Sequence, residues 1–196
     1  MALFLVTAPT IEPITLVEAK AQCRIETPDD DGLIDALIKA AREYVESATH
    51  RALLRQTWDW KLDAFPSGSD TRLVLPLPPV SSVTSVTYVD TAGATQTWDS
   101  SDYRTSLPAG PQAGPGTIEP AYGEVYPSTR DLSDAVVVRV VCGYGTTADT
   151  VPSSLRSAIK LLVAHWFARR EPINIGNLVS PIPLTIDSLL WPYKAW

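Results

Sequence analysis

The sequence predicts an α+β protein in which a helical scaffold is interrupted by an inserted antiparallel β module. Apolar residues recur at helical spacing near both ends of the chain, whereas they alternate with polar residues in the middle. The 17 prolines among 196 residues are about twice the usual share, which favours many turns over a purely helical bundle. A chain of this length is expected to form one structural domain overall.

Four consecutive sections are expected along the chain. Two N-terminal helices occupy residues 1–56, and the β module occupies residues 57–150. One long C-terminal helix, residues 151–171, is expected to pack on the N-terminal helices. An extended linker and a tail with a short helix make up residues 172–196.

The first helix is predicted from the sequence Thr15-Leu16-Val17-Glu18, which is typical of a capping box. In this motif the threonine hydroxyl accepts a hydrogen bond from a free backbone N–H, and the glutamate bonds back to the N-cap. The helix is expected to end near Ile25, because the residue before Pro28 avoids helical backbone angles.

The second helix is expected to open at Asp29-Asp30-Asp31, where the helix dipole favours negative charge. Apolar residues then recur at helical spacing up to Ala48. A calcium loop is the other interpretation of three aspartates, but an EF-hand needs its acidic ligands at alternate positions. The run therefore indicates a helix start and not a metal site.

The β module is predicted from alternating residues between Thr57 and Asp63, with Trp58, Trp60 and Leu62 on one face. The valine-rich segment Ala135–Cys142 is expected to be a central strand. About six strands are expected, and the others are Arg72–Leu75, Val83–Val89, Thr95–Trp98 and Thr117–Glu119, with Tyr103–Thr105 as a further candidate for a short strand. The Pro- and Gly-rich segment Leu107–Gly116 is predicted to be a loop.

The long C-terminal helix is expected to begin at Pro152, a residue suited to a first helical turn, and to end near Glu171. Residues Ile173–Pro183 should form an extended linker, and Ile186–Leu190 one or two helical turns. The residues predicted to form the core are Leu37, Ile38, Val45, Val138, Ile159, Val163 and Trp166.

Composition excludes several classes of protein. No apolar run approaches the roughly 18–20 residues of a membrane helix, and the apolar run Ala2–Val6 is too short for a secretory signal. Two distant cysteines, Cys23 and Cys142, fit a reducing compartment better than a disulfide scaffold. A net charge of −6 argues against a dedicated nucleic-acid binder, because phosphate contacts need basic residues.

No catalytic, cofactor-binding or metal-binding motif is present in the sequence. The two histidines, His50 and His165, have no nearby G-x-S-x-G motif and no metal-ligand spacing. Gly143-Tyr144-Gly145 lacks the remaining residues of a phosphate loop, so it indicates a tight turn between a strand and a helix. The protein is therefore predicted not to be an enzyme and to use no cofactor.

Two other interpretations remain open at this point. A carbohydrate-binding module would use exposed tryptophans, and the candidates are Trp58, Trp60 and Trp98. A hydrolase-like β-sandwich enzyme would need a pair of carboxylates, and the candidates are Asp59, Asp63 and Asp99. Burial in a core is the simpler interpretation of Trp58 and Trp60, and a solvated strand face is the simpler interpretation of the aspartates.

The order of several short motifs resembles the head–tail connector, or adaptor, proteins of tailed bacteriophages, including prophage and gene-transfer-agent versions. The motifs are Leu16–Lys20 with Arg24-Ile25, Leu33–Ile38, Ala41–Glu46, Thr57-Trp58, Phe65-Pro66, Pro78–Val80, Ser82–Asp90, Gly143–Gly145, Val151-Pro152, Leu155–Phe167, and Leu189-Leu190 with Pro192-Tyr193 and Trp196. The similarity extends over nearly the whole chain.

This resemblance implies a structural subunit of a ring, commonly of twelve copies, mounted under the portal protein. A tail-side connector or stopper protein would lie below the ring. DNA would pass through the lumen only transiently, and no membrane would be involved. The protein would assemble in the host bacterial cytoplasm and reside at the head–tail interface of the virion. The family offers no catalytic residue to transfer.

The resemblance also implies that the C-terminal segment, here Leu178–Trp196, engages the portal. The residues expected to dock are Leu189, Leu190, Trp191, Tyr193 and Trp196, because aromatic side chains dominate the energetics of interfaces. The prolines and glycine before this tail predict that it packs little on its own subunit and is mobile in the free protein. The competing interpretation is that Trp191 and Trp196 fold back onto the core.

Overall fold

The computed structural model describes residues 1–67, 72–169 and 184–195, and this part of the chain contains four α-helices and eight β-strands. The helices are α1 (Leu16–Cys23), α2 (Asp31–Thr49), α3 (Ser153–Ala168) and α4 (Leu184–Leu190). The strands are β1 (Ala2–Thr7), β2 (Gln56–Leu62), β3 (Leu73–Val74), β4 (Val80–Val89), β5 (Thr95–Thr97), β6 (Tyr103–Ser106), β7 (Thr117–Pro120) and β8 (Val136–Cys142). The predicted α+β class is confirmed.

The start of α1 is the capping box that the sequence predicts. The backbone N–H of Glu18 donates to Thr15 Oγ1 at 3.1 Å, and the backbone N–H of Thr15 donates to Glu18 Oε2 at 2.9 Å. The helix ends at Cys23, two residues earlier than expected, because Arg24 adopts a left-handed backbone conformation with φ of 58°.

The helices form one hydrophobic core in which α3 packs against α1, α2 and α4. Four of the predicted core residues, Ile38, Val45, Ile159 and Val163, are buried in it. Leu37 and Trp166 are partly buried against the same cluster, and the Trp166 ring meets the Tyr44 ring edge to face at 6.1 Å.

The larger sheet has five antiparallel strands in the order β1-β2-β8-β4-β5. The valine-rich strand β8 lies at its centre, as predicted, and Val138 of β8 pairs with Trp60 of β2. Strand β1 was not predicted. It pairs with β2 through Ala2 opposite Lys61 and Leu5 opposite Trp58, so the N-terminal section contributes an edge strand as well as helices.

The smaller sheet has three antiparallel strands in the order β3-β7-β6. The two sheets share a second hydrophobic cluster, which includes Trp60, Trp98, Ile118 and Val138. The β part of the molecule is thus two sheets around a common core, whereas the sequence predicts only one module of about six strands.

The connection between β8 and α3 needs glycine at position 143. Gly143 has φ of +111°, and its N–H donates to the Pro79 carbonyl at 2.8 Å. A Cβ atom at this position would collide with the backbone of Leu54. Gly143 therefore permits a close backbone crossing, which agrees with the turn predicted from the sequence.

The tail packs on the helical core, so the prediction that it packs little is wrong for the described residues. Ile186, Leu190 and Tyr193 are buried in the cluster that α1, α2 and α3 form. They are spaced by four and three positions, which places them on one helical face. The predicted linker Ile173–Pro183, the predicted helix end near Glu171 and the residue Trp196 lie outside the described residues.

A bidentate ion pair joins β2 to β8 on the exposed side of the larger sheet. Arg139 Nε donates to Asp59 Oδ1 at 2.7 Å, and Arg139 Nη2 donates to Asp59 Oδ2 at 2.8 Å. The hydrogen bonds from Arg139 hold the pKa of Asp59 below the ordinary value of an aspartate, although partial burial opposes this.

We expect the substitution Asp59→Asn to lower the free energy of unfolding by about 0.5–1 kcal/mol at pH 7, because the pair is partly exposed and screened by solvent. A lowered pKa in the folded protein gives stability that is present above the pKa of the unfolded chain and is lost as pH falls through the folded pKa. The difference should therefore shrink as pH falls below the ordinary pKa of an aspartate, about 3.9. Urea unfolding at pH 7 and pH 3, with the exposed Asp35→Asn as control, measures this. An equal difference at both pH values would contradict an electrostatic cause.

Candidate interaction surfaces

The predicted docking tail has a buried side and an exposed side. Leu190 and Tyr193 are buried within the subunit, and Leu189 is partly buried against the helical core. Trp191 is 63% exposed. Trp196 lies outside the described residues. Trp191 therefore presents the largest exposed side chain of the described tail, while its neighbours fix the position of the backbone.

A buried arginine holds the tail in place. Arg51, 3% exposed, donates from Nε to the carbonyl oxygen of Tyr193 and from Nη1 to the carbonyl oxygen of Ala113 at 2.7 Å. The N–H of Ala195 donates to the carbonyl oxygen of Thr49 at 2.9 Å. One guanidinium thus ties the tail and the loop before β7 to the end of α2.

The Lys194 ammonium group lies beside the indole of Trp191. Lys194 Nζ lies 5.2 Å from the Trp191 ring centroid, which is within range of a cation–π interaction. A tryptophan held on a packed helix loses little side-chain entropy when it meets a partner, and tryptophan is enriched among interface hot spots. The arrangement is suited to docking and contains no group poised for catalysis.

A buried charge cluster supports the segment between β1 and α1. Arg42 Nε donates to Glu12 Oε2 at 2.8 Å, and Arg42 Nη1 donates to Glu46 Oε2 at 2.7 Å. Glu46 Oε1 accepts hydrogen bonds from the Leu53 N–H and from Gln56 Nε2, each at 2.8 Å. Burial raises the pKa of Glu46, although these donors oppose it. Both carboxylate oxygens of Glu46 are engaged, so the cluster has a structural role.

The carboxylates considered for a hydrolase do not converge. Asp59 pairs with Arg139, and Asp63 Oδ1 accepts from the Asp134 N–H at 3.1 Å. Asp99 Oδ1 accepts from the backbone N–H and the hydroxyl of Ser101, each at 2.9 Å. Each carboxylate has its own local partners, so the structure does not support the hydrolase-like alternative.

The tryptophans considered for carbohydrate binding are core residues. Trp60 and Trp98 are 7% and 5% exposed, and Trp58 packs partly buried against the same cluster. The Trp98 ring contacts those of Phe65 and Tyr126 at centroid distances of 5.5 and 5.2 Å. A sugar-binding platform needs exposed rings, so the structure does not support this alternative either.

Residues 1–67, 72–169 and 184–195 show neither a metal-binding cluster nor a membrane-spanning helix. This part of the chain holds no group of three or more His, Cys, Asp or Glu side chains that could bind a metal ion. It also holds no helix long and apolar enough to cross a membrane. Both cysteines are free thiols, and burial raises the pKa of Cys142 to about 12.

Sequence analysis missed the surface formed by β1. Leu3, Phe4, Leu5 and Val6 are 40%, 48%, 48% and 46% exposed, at the edge of the larger sheet. The signal in the sequence is the apolar run Ala2–Val6, whose length was compared only with that of a secretory signal and not with that of a strand. A groove of about 560 Å³ was also not foreseen; it lies between the start of β4, the loop after β6 and the start of α3.

Comparison with known proteins identifies one protein family. Residues 13–79 match the family described as "Phage gp6-like head-tail connector protein". This match covers the capping box, both N-terminal helices and the chain up to the start of β4. No curated protein matches the chain.

The whole fold is similar to chains in structures of gene transfer agent (GTA) particles. Chains from the neck of an empty GTA particle with C6 symmetry and from the virion of a native GTA particle each give a TM-score of 0.80. A chain from the neck of a native GTA particle with C12 symmetry gives 0.73. Each is 22% identical in sequence, and each match covers 100% of this chain and 96% of the other.

The resemblance to head–tail connectors is thereby confirmed by the family match over residues 13–79, and the whole chain shares the fold of chains from GTA particles. The matching family is one of structural connectors and not of enzymes. The prediction that this protein is not an enzyme is confirmed by that match.

Proposed function

We propose that this protein is a head–tail connector subunit that forms a ring between the portal protein and the tail of a phage or phage-like particle. The observation that carries the proposal is the agreement of two comparisons: the connector family matches residues 13–79, and chains from particle necks share the fold over the full length. The ring has twelve subunits, as suggested by the C12 symmetry of one neck structure.

The charge of the protein suits a passage for DNA. With 22 acidic and 16 basic residues, the chain has a net charge of −6, which disfavours tight binding of DNA through its phosphates. A conduit must let DNA slide in both packaging and ejection, so weak contact is an advantage. DNA is therefore a transient occupant of the lumen and not a tightly bound ligand.

The C-terminal tail docks on the portal protein, and the other side of the ring meets a tail-side connector or stopper protein. Of the docking residues expected from the sequence, Leu190 and Tyr193 hold the tail on the subunit, because they are buried. Trp191, 63% exposed beside Lys194, supplies the aromatic contact, and Leu189 and Trp196 flank it along the chain.

We expect the substitution Trp191→Ala to weaken binding to the portal protein about thirtyfold, since truncation of a hot-spot aromatic costs ~2 kcal/mol or more. The melting temperature should stay nearly unchanged, because the side chain is mostly exposed. A pull-down titration and a thermal melt on the same preparation measure both quantities. Val17→Ala, at a position 76% exposed in α1, is the matched control. Unchanged portal affinity would reject the tail as the docking element.

The ring is tested by measuring the mass of the purified protein alone and with its portal protein. We expect a monomer or weak oligomer alone, since a subunit with its own core can fold by itself. A complex with many copies per portal ring should form on mixing. Failure to bind the portal would contradict the proposed function, and a stable ring at micromolar concentration without portal would contradict assembly on the portal.

A further inference from the structure

Strand β1 is an open edge with apolar side chains on both faces. Leu3, Phe4, Leu5 and Val6 are consecutive, so they alternate between the two faces of the sheet, and each is 40–48% exposed. Among the described strands only β2 pairs with β1, which leaves its outer hydrogen-bonding edge unpaired. Natural proteins protect such edges with charges, prolines or a cover, because an apolar edge pairs readily with another chain. None of the residues of β1 is charged or proline.

The same chain carries a second apolar surface, which lies beside β4 and is separated from β1 by β2 and β8 in the larger sheet. The groove of about 560 Å³ is lined mainly by apolar residues, among them Pro79, Val80, Leu107, Pro108, Val151 and Pro152. Among the residues that the structure describes, Asp149 is the one charged residue that lines the groove. The volume of the groove lies in the range of cavities that enclose ligands, about 300–1,000 Å³, so large apolar side chains can enter the groove.

The groove adjoins a stretch of sheet edge that is also open. In β4, residues Val80–Ser85 pair with β8 on one side, whereas β5 pairs only with Thr87–Val89 on the other. Among the described strands, the five-stranded sheet therefore ends in an open edge at both sides, β1 at one and the first part of β4 at the other.

We propose that the apolar edge strand β1 of one subunit docks into the groove beside β4 of the next subunit, with Phe4 entering the groove. The proposal rests on the ring proposed above and names the contact that builds it. A charged residue borders each surface: Lys61 Nζ lies 4.4 Å from the Phe4 ring centroid and pairs with Asp134 at 3.5 Å, and Asp149 lines the groove.

A second copy of this chain is the occupant because both halves of the contact are present on one subunit and they are different surfaces. A contact between two different surfaces repeats from copy to copy and forms a ring when its rotation closes, whereas a contact between two copies of β1 ends at a dimer. A β1 dimer would also leave the groove empty. If the portal or the tail component covered β1 instead, neighbouring subunits of the ring would lack this contact.

Cysteine crosslinking tests this contact directly. The double variant Phe4→Cys with Ala109→Cys places one thiol on β1 and one on an exposed residue that lines the groove. Cys23→Ser removes the more accessible native thiol, and Cys142 is buried and stays unreactive. The protein is co-expressed with its portal protein, treated with a flexible bismaleimide and analysed by denaturing gel, while native mass spectrometry counts the subunits per complex.

We expect the double variant to give a ladder that extends well beyond the dimer, and each single variant to give monomers. Val125→Cys with Ala109→Cys is the control pair, because Val125 is 79% exposed but belongs to a different loop. Without any crosslinker, Phe4→Asp should reduce ring assembly about thirtyfold, as expected for the loss of a hot-spot aromatic, without a shift in the melting temperature of the monomer.

The outcomes separate this contact from the proposed function. Dimers from the Phe4→Cys single variant would show that β1 pairs with itself and would overturn the proposal. Rings that assemble with no crosslink in the double variant, and with normal yield for Phe4→Asp, would overturn the contact and leave the connector function intact. Portal complexes that hold no ring of this protein would reject the ring and the contact together.

Discussion

Replacement of Leu190 by alanine is expected to lower the free energy of unfolding by about 2–5 kcal/mol, the usual cost of truncating a buried leucine. Leu190 is completely buried in the core that α2, α3 and α4 share. For a protein of this size, each kcal/mol corresponds to about 2–4 °C in melting temperature. The variant should therefore melt roughly 5–20 °C lower than the wild type.

The adjacent substitution Trp191→Ala provides the matched control for this prediction. Trp191 is one residue away in the same tail but 63% exposed, so its loss should change stability by no more than about 0.5 kcal/mol. Thermal melts of the two variants, followed by circular dichroism, separate the two sides of the tail. Equal melting temperatures for Leu190→Ala and wild type would show that the tail does not pack on the core in solution.

The substitution Ile159→Asp is expected to abolish the folded state. Ile159 is completely buried, with an exposed fraction of 0%, and it packs within the helical core with Leu155 and Val163. A buried carboxylate without a partner costs several kcal/mol, which is comparable with the whole stability of about 5–15 kcal/mol. The variant should lack a cooperative melt.

Ser157→Asp is the control for this substitution, because Ser157 is exposed on the same helix two residues earlier. An aspartate at this exposed position keeps its charge in water, so it carries no cost of burial. Circular dichroism and a thermal melt of both variants measure the difference. A cooperative melt of Ile159→Asp at the wild-type temperature would mean that the core face of α3 is wrongly assigned. The analogous Leu37→Asp is a weaker test, since Leu37 is only partly buried.

The elements that local sequence determines could be predicted well. The capping box at Thr15 and Glu18 acts within one helical turn, and the periodic apolar residues of α2 and α3 identify the buried faces of both helices. The valines and other β-branched residues of β8 predict a central strand, and β8 lies at the centre of the larger sheet. In these cases the neighbours along the chain contain the information.

Elements that depend on distant partners could not be predicted in the same way. The run Ala2–Thr7 becomes a strand because it pairs with β2, and nothing within the run indicates that partner. Similarly, the division of the strands into two sheets depends on which strands meet in the fold. Trp98 follows a short polar hairpin, yet it is buried because Phe65 and Tyr126 pack around it.

The sequence predicts which segment forms the docking tail, but not which of its side chains are exposed. Composition shows that the tail is rich in leucine and aromatic residues, but it does not tell which of them face the subunit. The structure places Leu190 and Tyr193 inward and Trp191 outward, and the inward residues depend on contacts with α2 and with Arg51. Arg51 itself carries no local signal, since its partners Tyr193 and Ala113 lie far along the chain.

A cryo-electron microscopy reconstruction of the portal-bound complex tests the central claim most directly, because it shows both the number and the place of the subunits. We predict a closed ring of twelve copies of this protein on the tail-facing side of the portal, around an open central channel. Trp191 should contact the portal, while Leu190 and Tyr193 stay packed on their own subunit. A complex in which this protein is absent from the portal axis, or bound as isolated copies without a ring, would contradict the account.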